Sequence, residues 1–106
     1  MADYVLLYTG GRMPETDEER DAVMKAWDSW FHELGGDLKD GGNPFSPNAR
    51  TIASDGAVSD GNGGIAGSGY SILKADSIDE AVAKSKGCPV LLGGGGITVF
   101  ETFEVM

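Results

Sequence analysis

Apolar positions along the chain follow two periods, and the switches between them outline its elements. Residues 4–8, YVLLY, form a short apolar run closed by Thr9-Gly10-Gly11, the length and bounding of a strand. Tyr4, Leu6 and Tyr8 fall on one face and Val5 and Leu7 on the other, so this strand needs apolar cover on both sides. From Thr16 the period changes. Thr16 and Glu19 have capping-box spacing, and Asp17, Glu18 and Asp21 suit the positive end of a helix dipole. Val23, Met24, Ala26, Trp27, Trp30, Phe31 and Leu34 then lie within about 160° of arc, a broad core-facing stripe that ends at Gly35-Gly36.

Residues 37–41 predict a short strand, stopped by Gly42-Asn43-Pro44 because proline cannot donate to a ladder. Residues 50–54 and 57–59 predict a small hairpin, with Asp55-Gly56 as a type I′ turn. The segment DGNGGIAGSG, 60–69, is too polar and glycine-rich for a regular element and predicts a surface loop. Residues 70–75 read as a strand. Ser77 and Glu80 form a second capping box before a helix with Ile78, Ala81 and Val82 on one face, ended by Gly87. Residues 97–105 predict the last strand, with Ile97, Val99, Phe103 and Val105 on one face and Phe100 on the other. The result is an α+β fold, a ferredoxin-like βαββαβ order with an inserted small hairpin and Gly-rich loop. Its four-stranded antiparallel sheet would carry both helices on one face. The bare face predicts a homodimer packed sheet to sheet.

At 106 residues the chain, 1–106, is a single domain. Eight basic against seventeen acidic residues give a formal charge of −9, which repels phosphate backbones and anionic bilayers. Nucleic acid and membrane are therefore excluded as partners. Cys88 stands alone and forms no internal disulfide; after a helix C-terminus it reads as a packed thiol. The start MADYVLLYTGG lacks the basic flank and cleavage site of a signal peptide, which predicts a cytoplasmic protein.

Several stretches together resemble the YCII-related (DGPF) proteins: YTGG at 8–11, ELGGDLKDGGNPF closing the long helix, SDG at 59–61, GYSILKADSIDEAVAKSKGCP at 69–89 and the terminal VFETFEVM. The resemblance spans nearly the whole chain, and the GYxxxxADSxDEA block is its most specific part. In the namesake tetrapeptide Asp60-Gly61 is kept, but Asn62-Gly63 stand where proline and phenylalanine would be. The resemblance implies a dimeric α/β barrel and little assigned chemistry. Some members are thought to use a histidine and an aspartate in a cleft between sheet and first helix. That histidine would fall near Met24, about two turns before His32, so the dyad does not carry over by position.

His32 is the only histidine and hence the only possible imidazole base, yet it lies about 160° from the centre of the apolar stripe and points to solvent. Gly93–Gly96 leads into a strand pattern without the Lys-Ser/Thr of a phosphate loop, and Asp55, Asp60 and Asn62 lack EF-hand spacing. The sequence therefore implies no metal and no cofactor. The remaining polar candidates for a ligand site gather where the first two strands end: Tyr8, Arg12, Asp40 and Asn43, with Tyr70. Arg12 offers a fork of donors for a carboxylate, and Asp40 caps the following turn or acts as an acid or base. The leading expectation is a ligand-binding dimer. The alternatives are an enzyme using Asp40 with His32 or Tyr8 in proton transfer, and an interaction domain without a pocket.

Overall fold

The computed structural model describes residues 2–11 and 14–105. Eight regular elements follow in order: β1 (Ala2–Thr9), α1 (Asp17–Leu34), β2 (Leu38–Asp40), β3 (Arg50–Ile52), β4 (Val58–Asp60), β5 (Gly69–Ala75), α2 (Ile78–Ser85) and β6 (Gly96–Glu101). The sheet runs β2-β5-β1-β6, antiparallel throughout, which is the ferredoxin-like order.

Both capping boxes act as the sequence predicts: Thr16 Oγ1 accepts from the Glu19 amide at 3.1 Å and Ser77 Oγ from the Glu80 amide at 3.1 Å. One face of β1 and β5 carries Tyr4, Leu6, Tyr8, Ser71 and Leu73, all buried, and Trp30 and Leu34 of α1 and Ala81 of α2 close over it. The Trp30 indole donates to the Lys84 carbonyl at 3.1 Å, tying the two helices together at their one buried tryptophan edge.

The other face is covered only at one end, where Tyr70 stacks on Phe45 with ring centroids 6.0 Å apart and Leu7 borders the arm that carries β3 and β4. Across the register Phe100, Val5 and Ile72 form one row, and Leu7 sits beside Tyr70 in the next. Phe100 stays 51% exposed there. The molecule measures 43 × 40 × 18 Å, and its least dimension is that of one sheet and one helix layer.

Four expectations change. The apolar stripe of α1 is buried only in its second half, at Trp30 and Leu34; Val23 and Met24 remain exposed, because the first half of the helix overhangs the sheet. The hairpin turn is not type I′. Gly56 donates to the Ala53 carbonyl and alone takes a positive φ of 90°, so a three-residue loop places glycine at the left-handed position of a bulged turn. Between α2 and β6 a 3-10 turn, Pro89–Gly93, fills a stretch left unassigned by periodicity. The last strand ends at Glu101, where it meets Tyr4 near the start of β1; Thr102 spends both its amide and its hydroxyl on the Asp3 carbonyl. Beyond it the chain leaves the sheet although β1 continues through Asp3 and Ala2, and Phe103 and Val105 are 84% and 85% exposed.

Candidate functional site

The overhang of α1 opens a cavity of about 430 Å³ between the helix and the ends of β1, β2 and β5. Helical spacing brings Met24, Trp27, Asp28 and Phe31 of α1 to its wall. The ring centroids of Tyr8 and Trp27 are 5.5 Å apart at 67°, edge to face, and those of Trp27 and Phe31 are 5.6 Å apart and tilted at 57°, so the rings of the aromatic wall brace one another.

Backbone supplies the opposite wall. Gly41 lies against the Phe31 ring, which a Cβ at that position would approach to 3.2 Å. Gly42 adopts φ 69°, and a Cβ there would overlap the Tyr70 carbonyl oxygen at 1.7 Å, so only glycine fits. Pro44 bridges to Gly69, Phe45 donates its amide to the Ser68 carbonyl at 2.9 Å, and Ser68 donates to the Tyr8 carbonyl at 2.7 Å. These bonds fasten the loop after β2 to the ends of β1 and β5. A buried relay completes the fastening: the Tyr8 hydroxyl donates to Ser71 Oγ at 2.7 Å, and Ser71 Oγ donates to the Gly41 carbonyl at 2.7 Å.

Burial pushes the Tyr8 hydroxyl well above the ordinary tyrosine range, an effect its bond to Ser71 only partly offsets. Burial also raises the neighbouring Cys88 thiol, the reverse of an activated nucleophile. A wider and more open hollow of about 890 Å³ lies on the other face of the sheet, between Leu7 and the arm formed by β3, β4 and their flanking loops; among the described residues no ionisable side chain lines it.

Of the residues singled out in the sequence, Tyr8, Asn43 and Tyr70 line the cavity together. Asp40 does not line it: its Oδ1 accepts from the Gly42 amide at 2.8 Å and caps the turn. His32 is exposed on α1 and also lies outside the lining, and no hydrogen bond joins it to Asp40 among the described residues. Arg12 lies outside the described residues. Sequence reasoning missed Met24, Trp27, Asp28 and Phe31 as site residues. Three of them belonged to the stripe read as core, and the available signal was Asp28, a charge only about 40° beyond the edge of that stripe.

No family model matches the chain, and no curated protein matches it. Among solved structures, it is similar to 5-chloro-2-hydroxyhydroquinone dehydrochlorinase (TftG) from Burkholderia phenoliruptrix AC1100 in complex with 2,5-dihydroxybenzoquinone, at a TM-score of 0.54. The two share 20% sequence identity over 94% of this chain and 93% of that one. This likeness establishes the shared fold over nearly the full length of both chains.

Proposed function

We propose that this chain is a small-ligand-binding protein related to the YCII-related group, holding a compact organic molecule in the cavity between α1 and the sheet. The observation that carries the reading is the braced wall of Tyr8, Trp27 and Phe31 facing backbone fixed by Gly42. Such a concave, mostly apolar, largely preformed hollow is the usual form of a small-molecule site. That TftG was solved with a ring-shaped ligand agrees with it. Thermal-shift screening against a library of small aromatic compounds tests the reading, because a ligand selective for the native state raises the melting temperature. Trp27→Leu should abolish the shift; a shift unchanged by Trp27→Leu would place the ligand elsewhere.

Binding is favoured over proton transfer through Asp40 because that carboxylate is engaged in the Gly42 turn, apart from the cavity lining. The Tyr8 hydroxyl, the other proposed proton carrier, is committed to Ser71.

We further propose that two copies pack through the bare part of the sheet face, covering the Phe100–Val5–Ile72 row. Sedimentation at micromolar concentration should give the dimer mass, and a monomer mass would remove this part while leaving the cavity reading intact. The proposed setting is cytoplasmic, where the lone thiol of Cys88 stays reduced. No helix among the described residues is long and apolar enough to cross a membrane.

A further inference from the structure

We propose that the ligand of the α1 cavity is an organic cation: a protonated or quaternary amine carried on a compact apolar body. This assignment rests on the cavity being a ligand site and names the chemistry it selects.

Among the described residues lining the cavity, Asp28 is the one side chain carrying a formal charge at neutral pH, and no basic side chain accompanies it. Its carboxylate makes no ion pair or side-chain hydrogen bond there; Lys25 and His32, one turn away on either side, form none with it. Each class of ligand meets this arrangement differently. An anion would enter beside an uncompensated carboxylate, in a chain whose formal charge of −9 already repels it. The Tyr8 hydroxyl offers it no proton, because that proton is held by Ser71. A neutral molecule gives Asp28 at most a hydrogen bond from a hydroxyl or amide and leaves its charge uncompensated. A cation gives Asp28 its partner in a cavity lined also by Tyr8, Trp27 and Phe31, the ring types whose quadrupoles attract positive charge. The net negative field also raises the encounter rate with cations.

Isothermal titration of the full chain at low salt with three benzyl probes tests the assignment: benzyltrimethylammonium, benzyl alcohol and phenylacetate. The cation should bind at least about fivefold more tightly than the alcohol, and phenylacetate most weakly. Asp28→Asn should weaken the cation by about fivefold and leave the alcohol unchanged, while Asp28→Glu restores cation binding. Asp28 is exposed on α1, so these variants retain the fold, which an unchanged melting temperature checks. Alcohol or phenylacetate binding as tightly as the cation, or a cation affinity indifferent to Asp28→Asn, overturns the cation assignment while the cavity stands as a ligand site. If none of the three probes, nor any compound in the aromatic library, binds the wild type, both readings fall.

Discussion

The Tyr8 hydroxyl donates to Ser71 Oγ at 2.7 Å, joining residues 63 positions apart on the buried face of neighbouring strands. Ser71 forwards the bond to the Gly41 carbonyl, so the sheet core and the loop walling the cavity share one polar thread. Tyr8→Phe removes one bond and leaves Ser71 bonded to Gly41; it should lower stability by about 1 kcal/mol. Ser71→Ala removes both bonds of the thread and leaves the Gly41 carbonyl unmatched, and should lose about 2–3 kcal/mol. Urea unfolding of the two variants orders them, and equal losses would mean that the thread is not shared.

Gly42 and Gly94 separate two sources of glycine dependence. Both have positive φ, 69° and 84°, but a Cβ at 94 meets nothing within 4 Å whereas one at 42 overlaps the Tyr70 carbonyl. Gly94→Ala should cost about 1–2 kcal/mol from backbone strain. Gly42→Ala carries that strain plus the overlap, and should exceed about 3 kcal/mol or displace the loop. Thermal denaturation of each variant reads the difference.

The two tryptophans should respond oppositely to substitution. Trp30 is buried and bonded to the Lys84 carbonyl, so Trp30→Ala should lose about 3–5 kcal/mol. Trp27 is only half-buried and lines the cavity, so Trp27→Leu should lose under about 2 kcal/mol and act mainly on ligand binding. Paired unfolding and titration experiments distinguish structure from site.

Lys84 predicts a pH profile with two falling arms. Its ammonium bonds Asp37 at 2.6 Å and Glu80 at 2.8 Å. The bond to Asp37, and then that to Glu80, raises Lys84 above its ordinary value, while the bond from Lys84 lowers Glu80 below 4.5. A depressed carboxylate contributes stability present above its unfolded value and lost as pH falls through its folded one. A raised lysine contributes below 10.5 and is lost as pH rises beyond it. The melting temperature of the wild type should therefore decline below about pH 4.5 and above about pH 10.5, and Lys84→Met should flatten both arms and lower the plateau by a few degrees.

The fold was legible wherever local chemistry and tertiary structure agree. Thr16, Ser77 and Gly35 punctuate helices by bonds within one turn, and the alternation in β1 names its buried face directly. The missed features arise from long-range geometry. Nothing within α1 tells that its first half overhangs the sheet, so Trp27 and Phe31 read as core when they are half core and half wall. The last strand is shorter than its pattern because the apolar alternation continues past Glu101, while its ladder with β1 closes there in the two bonds from Thr102 to the Asp3 carbonyl. Tyr8, Asn43 and Tyr70 come to one cavity because the polar and aromatic residues at strand ends converge in this topology. Asp28 borders the apolar stripe, but a charge at that edge reads equally as the start of the solvated face of α1.

The contact between the Trp27 and Trp30 indoles, 5.7 Å apart and crossed at 74°, joins a cavity wall to the buried core. Two indoles held so close and crossed couple their electronic transitions, and the pair absorbs left- and right-circular light unequally. The protein thus carries its own label. A ligand seated against Trp27 perturbs that optical couplet while Trp30 holds its half fixed, so occupancy becomes readable without any attached dye.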